Sequence, residues 1–253
     1  MRNRIALAAA AIAAVAAVSA PAAFANHSWN GYHWARTANP FTLKLGNNLT
    51  SAEWQSRLSQ TGSDWSRSTV LDATIVAGQS RNRNCRPTSG RDEICNASYG
   101  NNGWLGVATI WLQSGSSHIV QGTVKVNDYY LGPGASYPYN NSAEREHVMC
   151  QEVGHTFGLD HQDTSGASLD TCMDYYHNTS SGDTRSTTPN QHDYDELVTI
   201  YTHLDSSTTV GAPTGSRLVP VGQMGESRYV ARLANGLTRI TYVRWATPIH
   251  TSL

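Results

Sequence analysis

The chain alternates short apolar runs with turns rich in Gly, Asn and Ser, a pattern typical of β-strands joined by loops. The segment 41–45 alternates apolar and polar residues and ends in a Gly-Asn-Asn turn. The runs 70–76, 106–112 and 119–126 are rich in β-branched and aromatic residues, so each predicts a strand. The segment 85–95 is polar and predicts a loop.

Three segments have the spacing or the end signals of α-helices. Apolar residues four positions apart predict a helix over 51–59. A second helix is predicted to begin after Asn141, which can form a reciprocal cap with Glu144, and to end at Gly158, which tolerates the left-handed conformation of a helix stop. A third helix is predicted over about 192–202.

The two ends of the chain have their own signatures. Residues 1–25 carry two arginines, an alanine-rich apolar run and a small-x-small site, which predict a signal peptide. No apolar run is long enough to span a bilayer, so we expect a secreted, extracellular protein with no membrane partner. We divide the rest into a domain over 26–204, a Ser-, Thr-, Gly- and Pro-containing linker over 205–216 and a tail over 217–253. Two alternating runs in the tail predict a small β-hairpin.

The charge is nearly balanced, with 18 Lys and Arg against 19 Asp and Glu. Loss of the signal peptide would leave a net charge of about −3, which excludes a strongly basic nucleic-acid-binding surface. We expect a monomer with one sizeable core.

Four cysteines form an even set in a chain that carries an export signal: Cys85, Cys95, Cys150 and Cys172. In an oxidising compartment they predict two disulfides, for which three connectivities are possible. We favour the two sequence-local pairs, Cys85 with Cys95 and Cys150 with Cys172. Their spacing does not fit a Cys-x-x-Cys zinc site.

The predicted helix that ends at Gly158 carries the candidate chemistry. Gln151 and His155 lie four residues apart on one face, and Glu152 flanks the same point. The turn at Gly158 can bring His161 back as a third ligand, which leaves the open fourth position that catalytic zinc needs. The zinc would acidify a water whose proton Glu152 accepts as general base.

This segment resembles the metzincin signature His-Glu-x-x-His-x-x-Gly-x-x-His at Glu152, His155, Gly158 and His161. It departs at Gln151, where the family has histidine. Because an amide oxygen is a weaker zinc ligand than imidazole, this change predicts a lower metal affinity.

A second family mark, Cys172-Met173-Asp174-Tyr175, resembles the Met-turn. The resemblance implies that Met173 floors the zinc site and that Tyr175 can contact the zinc or the oxyanion. A bridge from Cys150 to Cys172 would tie the active-site helix to this turn. Over about 29–204 the order of elements is similar to a matrixin-type catalytic domain. We therefore expect an α+β, metzincin-like fold: a twisted mixed sheet, active-site helix, Met-turn and C-terminal helix, plus a small C-terminal β extension.

The leading functional expectation is a zinc-dependent endopeptidase that binds an extended peptide along an edge strand, which we place at 119–126. Two alternatives stay open. Gln151 could have abolished useful metal binding and left a metzincin-fold binding or inhibitor protein. The fold would also suit a zinc hydrolase of a non-protein polymer.

Other polar residues are weaker candidates. We interpret His147 as a surface residue or a support for the ligands. Asp160 and Asp163 could bind Ca²⁺ or orient His161, although loop acids are usually solvated. We interpret His27, His33 and His118 as structural, because none has a partner at ligand spacing.

Overall fold

The computed structural model describes residues 26–211, 228–233 and 236–246. The predicted signal peptide and part of the predicted linker lie outside these ranges. Within them, no helix is long and apolar enough to cross a membrane.

One mixed sheet organises the described residues, with strand order β3-β2-β4-β6-β5-β8-β7 and β1 paired to β6. The strands β2, β3, β4 and β6 are parallel neighbours, whereas β5, β8 and β7 continue the sheet in antiparallel pairs. Their bounds are β1 His33–Trp34, β2 Phe41–Asn48, β3 Leu71–Ala77, β4 Asp92–Ala97, β5 Trp104–Leu112, β6 His118–Asn127, β7 Arg228–Arg232 and β8 Thr238–Trp245.

Few helices accompany the sheet: α1 Ala52–Trp65, α2 Asp128–Leu131, α3 Ser142–Thr156 and α4 Gln191–Ile200. The helix α3 packs against α1 and against β5 and β6. Trp65 on α1 is fully buried and donates its indole N–H to the Cys150 carbonyl, 3.1 Å away. The predicted combination of a mixed sheet with few helices is therefore present, and α3 lies in its core.

Two local predictions were wrong. The strand β4 occupies residues 92–97, part of which we predicted as a polar loop. Its polar side chains are buried in the sheet, where Asp92 accepts from Thr156 and Glu93 pairs with Arg91. The helix α1 also extends well beyond position 59, to Trp65. Its mostly polar second half still has a buried face, which includes Thr61, Gly62 and Trp65.

The predicted edge strand 119–126 is also a correction, because it lies inside the sheet. It forms most of β6, which pairs with β4 on one side and β5 on the other. β-branched side chains buried on both faces suit an interior strand, so they should have argued against an edge. The predicted tail hairpin is present as β7 and β8, and β8 pairs with the outer edge of β5.

Both predicted disulfides are present, Cys85–Cys95 and Cys150–Cys172. Asn141 caps α3 as predicted by accepting the Glu144 amide at 3.0 Å. The reciprocal half of the cap is absent, because the Glu144 carboxylate is engaged elsewhere, by His177 and the Asn178 amide.

Candidate metal site and active site

Two histidines converge at the C-terminal end of α3. Gly158 has φ +99°, and a side chain there would collide with the Tyr32 carbonyl, so only glycine makes this turn. The turn brings His161 back until its Nε2 lies 3.0 Å from Nε2 of His155. Nδ1 of His155 lies 2.9 Å from the Leu159 carbonyl and is assigned the proton, which leaves Nε2 as the free donor atom.

This pair fits a zinc ion. Two nitrogens bound to one tetrahedral zinc lie about 3.3 Å apart, close to the separation of the two Nε2 atoms. Burial and the neighbouring His161 lower the pKa of His155 well below its usual value, which keeps the ring neutral. Among the described residues, no other His, Cys, Asp or Glu completes a group of three here. A third protein ligand would therefore come from Gln151.

Gln151 is fully buried, and its amide is already hydrogen-bonded. Its nitrogen donates to the carbonyls of Cys172 and Asp174, at 2.9 and 2.6 Å. Its carbonyl oxygen accepts from Nη1 of Arg244 at 2.7 Å. A guanidinium at this oxygen opposes a second cation, so Gln151 fits the metal only after Arg244 moves away.

Glu152 is fully buried between α3 and β5. A side chain at Gly106 would lie 2.7 Å from its Cγ, so glycine makes the close approach possible. Neither carboxylate oxygen forms a hydrogen bond of normal geometry among the described residues. Burial raises the pKa of Glu152 to about 8, against the lowering effect of Arg244 and the Ala108 amide. The carboxyl is thus poised to hold a proton at neutral pH.

The turn at Met173 packs directly beneath α3. A side chain at Gly154 would lie 2.6 Å from Sδ of Met173 and 2.6 Å from the Trp65 ring. The disulfide Cys150–Cys172 ties the turn to the helix. The next residue, Asp174, accepts from the amides of Leu169 and Tyr176.

Tyr175 lies beside the histidine pair, with its ring centroid 4.2 Å from that of His161. This position is compatible with the role that the family resemblance implies, and the role itself stays a prediction.

The strand β8 covers the same site. Its register places Tyr242 opposite Ala108 and Arg244 opposite Gly106. The Tyr242 ring stacks on His155 at 4.5 Å, and its hydroxyl donates to Asp160 at 2.5 Å. The tail therefore occupies the outer edge of the strand that borders Glu152.

Arg244 anchors this cover from a position only 2% exposed. It pairs with Glu144 at 3.2 Å and donates to the Tyr176 carbonyl at 2.5 Å. Burial alone would raise the pKa of Glu144, but Arg244 and His177 outweigh it and hold the value at about 2.

His147 is buried, so its interpretation as a surface residue was wrong. It lies 2.9 Å from Asn178 Oδ1 and 3.2 Å from the Asp174 carbonyl. Burial and then Arg244 lower its pKa to about 3. The ring supports the segment after Met173.

The two loop acids next to His161 have local partners. Asp160 accepts from Tyr242 and from the His161 amide. Asp163 accepts from the amide and hydroxyl of Ser165. A calcium role for either acid stays a prediction.

Among the described residues, one further convergence of ligand-type side chains has no signal in the sequence. One ligand atom each from His33, His118 and Asp205 lies within 4.8 Å of the other two. His33 and His118 were interpreted as structural, since 85 residues of sequence hide their proximity. The parallel register of β1 with β6, which pairs these two residues, is the feature that brings them together.

The sequence matches no protein-family model, and no curated protein matches it. Among solved structures the chain is similar to one described as the structure of myroilysin, with a TM-score of 0.39 and 9% sequence identity. That match covers 70% of this chain and 98% of the other. The interpretation of the site therefore relies on its own geometry.

Proposed function

We propose that this protein is a secreted zinc-dependent endopeptidase that its own strand β8 holds in a latent state. The observation that carries the proposal is the pair of imidazole nitrogens, His155 Nε2 and His161 Nε2, which lie 3.0 Å apart at the end of the helix that also bears Glu152. Two histidines and a neighbouring glutamate are the groups that peptide hydrolysis at zinc requires.

His155 and His161 would hold the metal, with Gln151 as third ligand once its oxygen is released. A zinc ion bound there would polarise the scissile carbonyl and acidify a water. A cation bound beside Glu152 would favour its carboxylate form, which would then accept the proton that the attacking water gives up and return it to the leaving amine. Tyr175, whose ring lies beside His161, would donate to the oxyanion.

The latent state follows from the position of β8. In the active state, an extended peptide substrate would pair with the outer edge of β5, which borders Glu152. The strand β8 already makes this antiparallel pairing from Trp104 to Leu112. At the same time Arg244 donates to the Gln151 oxygen that would bind the metal. The strand β8 would therefore block both the substrate position and the third metal ligand.

The test separates the tail from the domain without changing the site. A specific protease site is inserted within 212–227, and the purified chain is assayed on an unfolded protein before and after cleavage. We expect little hydrolysis by the intact chain and activity that rises as the cleaved chain is diluted and β8 dissociates. Glu152→Gln in the same cleavable chain should abolish that activity.

The position of Arg244 also favours a second candidate, a binding or inhibitor protein that no longer uses a metal here. In that case the cleaved, diluted chain would bind no zinc through His155 and His161, and His155→Ala would leave its zinc content unchanged. Zinc bound through these histidines without proteolysis would instead indicate a non-protein substrate.

A further inference from the structure

A second group of histidines lies away from α3, where three parts of the chain meet. His33 stands in β1, His118 begins β6, and Asp205 follows α4. Oδ1 of Asp205 lies 3.2 Å from Nε2 of His118 and 3.7 Å from Nε2 of His33. A fourth side chain, His203, places its Nε2 3.2 Å from that of His33 and 3.7 Å from the same Asp205 oxygen.

The backbone and Arg36 orient these groups in the way that protein metal sites orient their ligands. Nδ1 of His33 lies 2.7 Å from the Gly31 carbonyl and is assigned the proton, so its Nε2 lone pair faces the cluster. The other oxygen of Asp205 accepts from the amide and guanidinium of Arg36, at 3.2 and 3.0 Å. Only Oδ1 is left to meet the histidines.

We propose that His33, His118 and Asp205 form a zinc site, distinct from the histidine pair at the end of α3. Two imidazoles and one carboxylate supply three ligands of a tetrahedral zinc site and leave the fourth position to water. The half-exposed His203 stands beside this group. A divalent cation would give the two imidazoles and the Asp205 oxygen one common partner. This proposal is independent of the proposed peptidase function.

The site would brace the end of the active-site helix. Arg36 donates to the carbonyls of Tyr201 and His203, so the Asp205 segment is fixed to the strand that carries His33. Next to His33, Trp34 donates its indole N–H to the Thr156 carbonyl at 2.9 Å. Zinc would therefore hold together β1, the start of β6 and the segment after α4, on which the last turn of α3 rests.

The experiment counts metal in the full mature chain. Apo protein is titrated with Zn²⁺, and bound zinc is measured by atomic emission in the wild type, in His118→Ala and in the matched control His192→Ala. His192 lies at the start of α4 outside the cluster. We expect His118→Ala to bind one equivalent fewer than both the wild type and the control.

Two further readouts localise the ion. Co²⁺ should give the visible absorption of a tetrahedral site, and His118→Ala should lose that component. Zinc should slow hydrogen exchange of amides 33–36 and 203–209 in the wild type but not in Asp205→Asn, which keeps an oxygen for Arg36 and loses the anionic ligand. This second variant covers the case in which His118→Ala misfolds, which circular dichroism would reveal.

Equal zinc content in wild type, His118→Ala and folded Asp205→Asn would overturn the proposal, as would zinc that protects only amides near His155. The histidine pair at the end of α3 is tested separately by His155→Ala, so failure of either zinc site leaves the other assessable.

Discussion

The side chains of Met173 and Trp65 pack directly against Gly154 in α3, where glycine has no side chain to keep them away. We predict that Gly154→Ala destabilises the protein by about 1–3 kcal/mol through overpacking, although alanine favours helix by about 1 kcal/mol. Urea denaturation measures the difference. The control is Gly62→Ala in α1, where the nearest atom to the new Cβ would be 3.4 Å away, and this change should be neutral or stabilising.

Arg244 neutralises Glu144 in a site where both are buried. We predict that Arg244→Ala costs about 3–5 kcal/mol, because it leaves the carboxylate charged, buried and without its guanidinium partner. The matched control, Arg228→Ala on the exposed side of β7, should change the free energy of unfolding by less than about 0.5 kcal/mol. Adding Glu144→Gln to Arg244→Ala should recover part of the loss, and strict additivity of the two changes would contradict the pairing.

Asp92 is a fully buried acid whose pKa burial raises to about 8, with Thr156 and Arg91 acting in the opposite direction. Since its folded pKa lies above its unfolded value, its contribution to stability is complete below about pH 4 and is lost as pH rises to about 8. We predict that Asp92→Asn removes this loss, which amounts to at most about 6 kcal/mol, of which about 4 kcal/mol falls between pH 5 and pH 8. Denaturation curves at pH 5 and pH 8 test it, and the exposed acid Asp72→Asn should leave the pH dependence unchanged.

The residues that could be predicted from sequence are those that one helical turn brings together. His155 and His161 come together through a single helix end and the Gly158 turn, so their spacing along the chain predicts that they lie close together. Arg244 reaches Gln151 across 93 residues, and His203 reaches His33 across 170. Such contacts depend on strand order, which spacing along the chain does not encode.

At the scale of elements, the disulfide Cys150–Cys172 joins α3 to the turn at Met173. We predict that replacing both cysteines by alanine costs about 3 kcal/mol, as expected for a closed loop of about 23 residues. It should also weaken zinc binding at His155 and His161, because the turn is no longer fixed beneath the helix.

The other disulfide provides the control for that prediction. Removing Cys85 and Cys95 opens a loop of about 11 residues and should cost a similar free energy of unfolding. It lies on β4, so zinc binding at α3 should not change. Equal effects of both replacements on zinc affinity would mean that the turn needs no tether.

The three longer helices and most strands lie where their sequence patterns predicted them, although α1 is longer than predicted and α2 was not predicted. Two errors among the strands have a common cause. The strand β4 was not predicted because its buried carboxyl groups have partners far away in sequence: Asp92 accepts from Thr156, and Glu93 accepts from Asn48. The strand β6 was mistaken for an edge because neighbours on both sides are set by topology. Burial of polar groups and strand order are properties of the assembled sheet.

At the scale of the whole molecule, β8 is part of the central sheet although it follows a segment that we predicted as a linker. Ile240 and Tyr242 are buried in the same core as α3. We predict that amides of β8 exchange with nearly the same free energy of opening as those of β5, measured by native-state hydrogen exchange. Much faster exchange in β8 would mean that the tail opens as a separate unit and that the uncleaved chain is partly active.

The register of β8 on β5 has a consequence for inhibitor design. Within the proposed function, β8 occupies the position of a bound substrate peptide. It pairs antiparallel with β5, its Tyr242 stacks on His155, and its Arg244 donates to Gln151. An eight-residue peptide copied from 238–245 is therefore a starting competitor for the opened enzyme. The positions of Tyr242 and Arg244 in this peptide are the first two to vary when cleavage preference is measured.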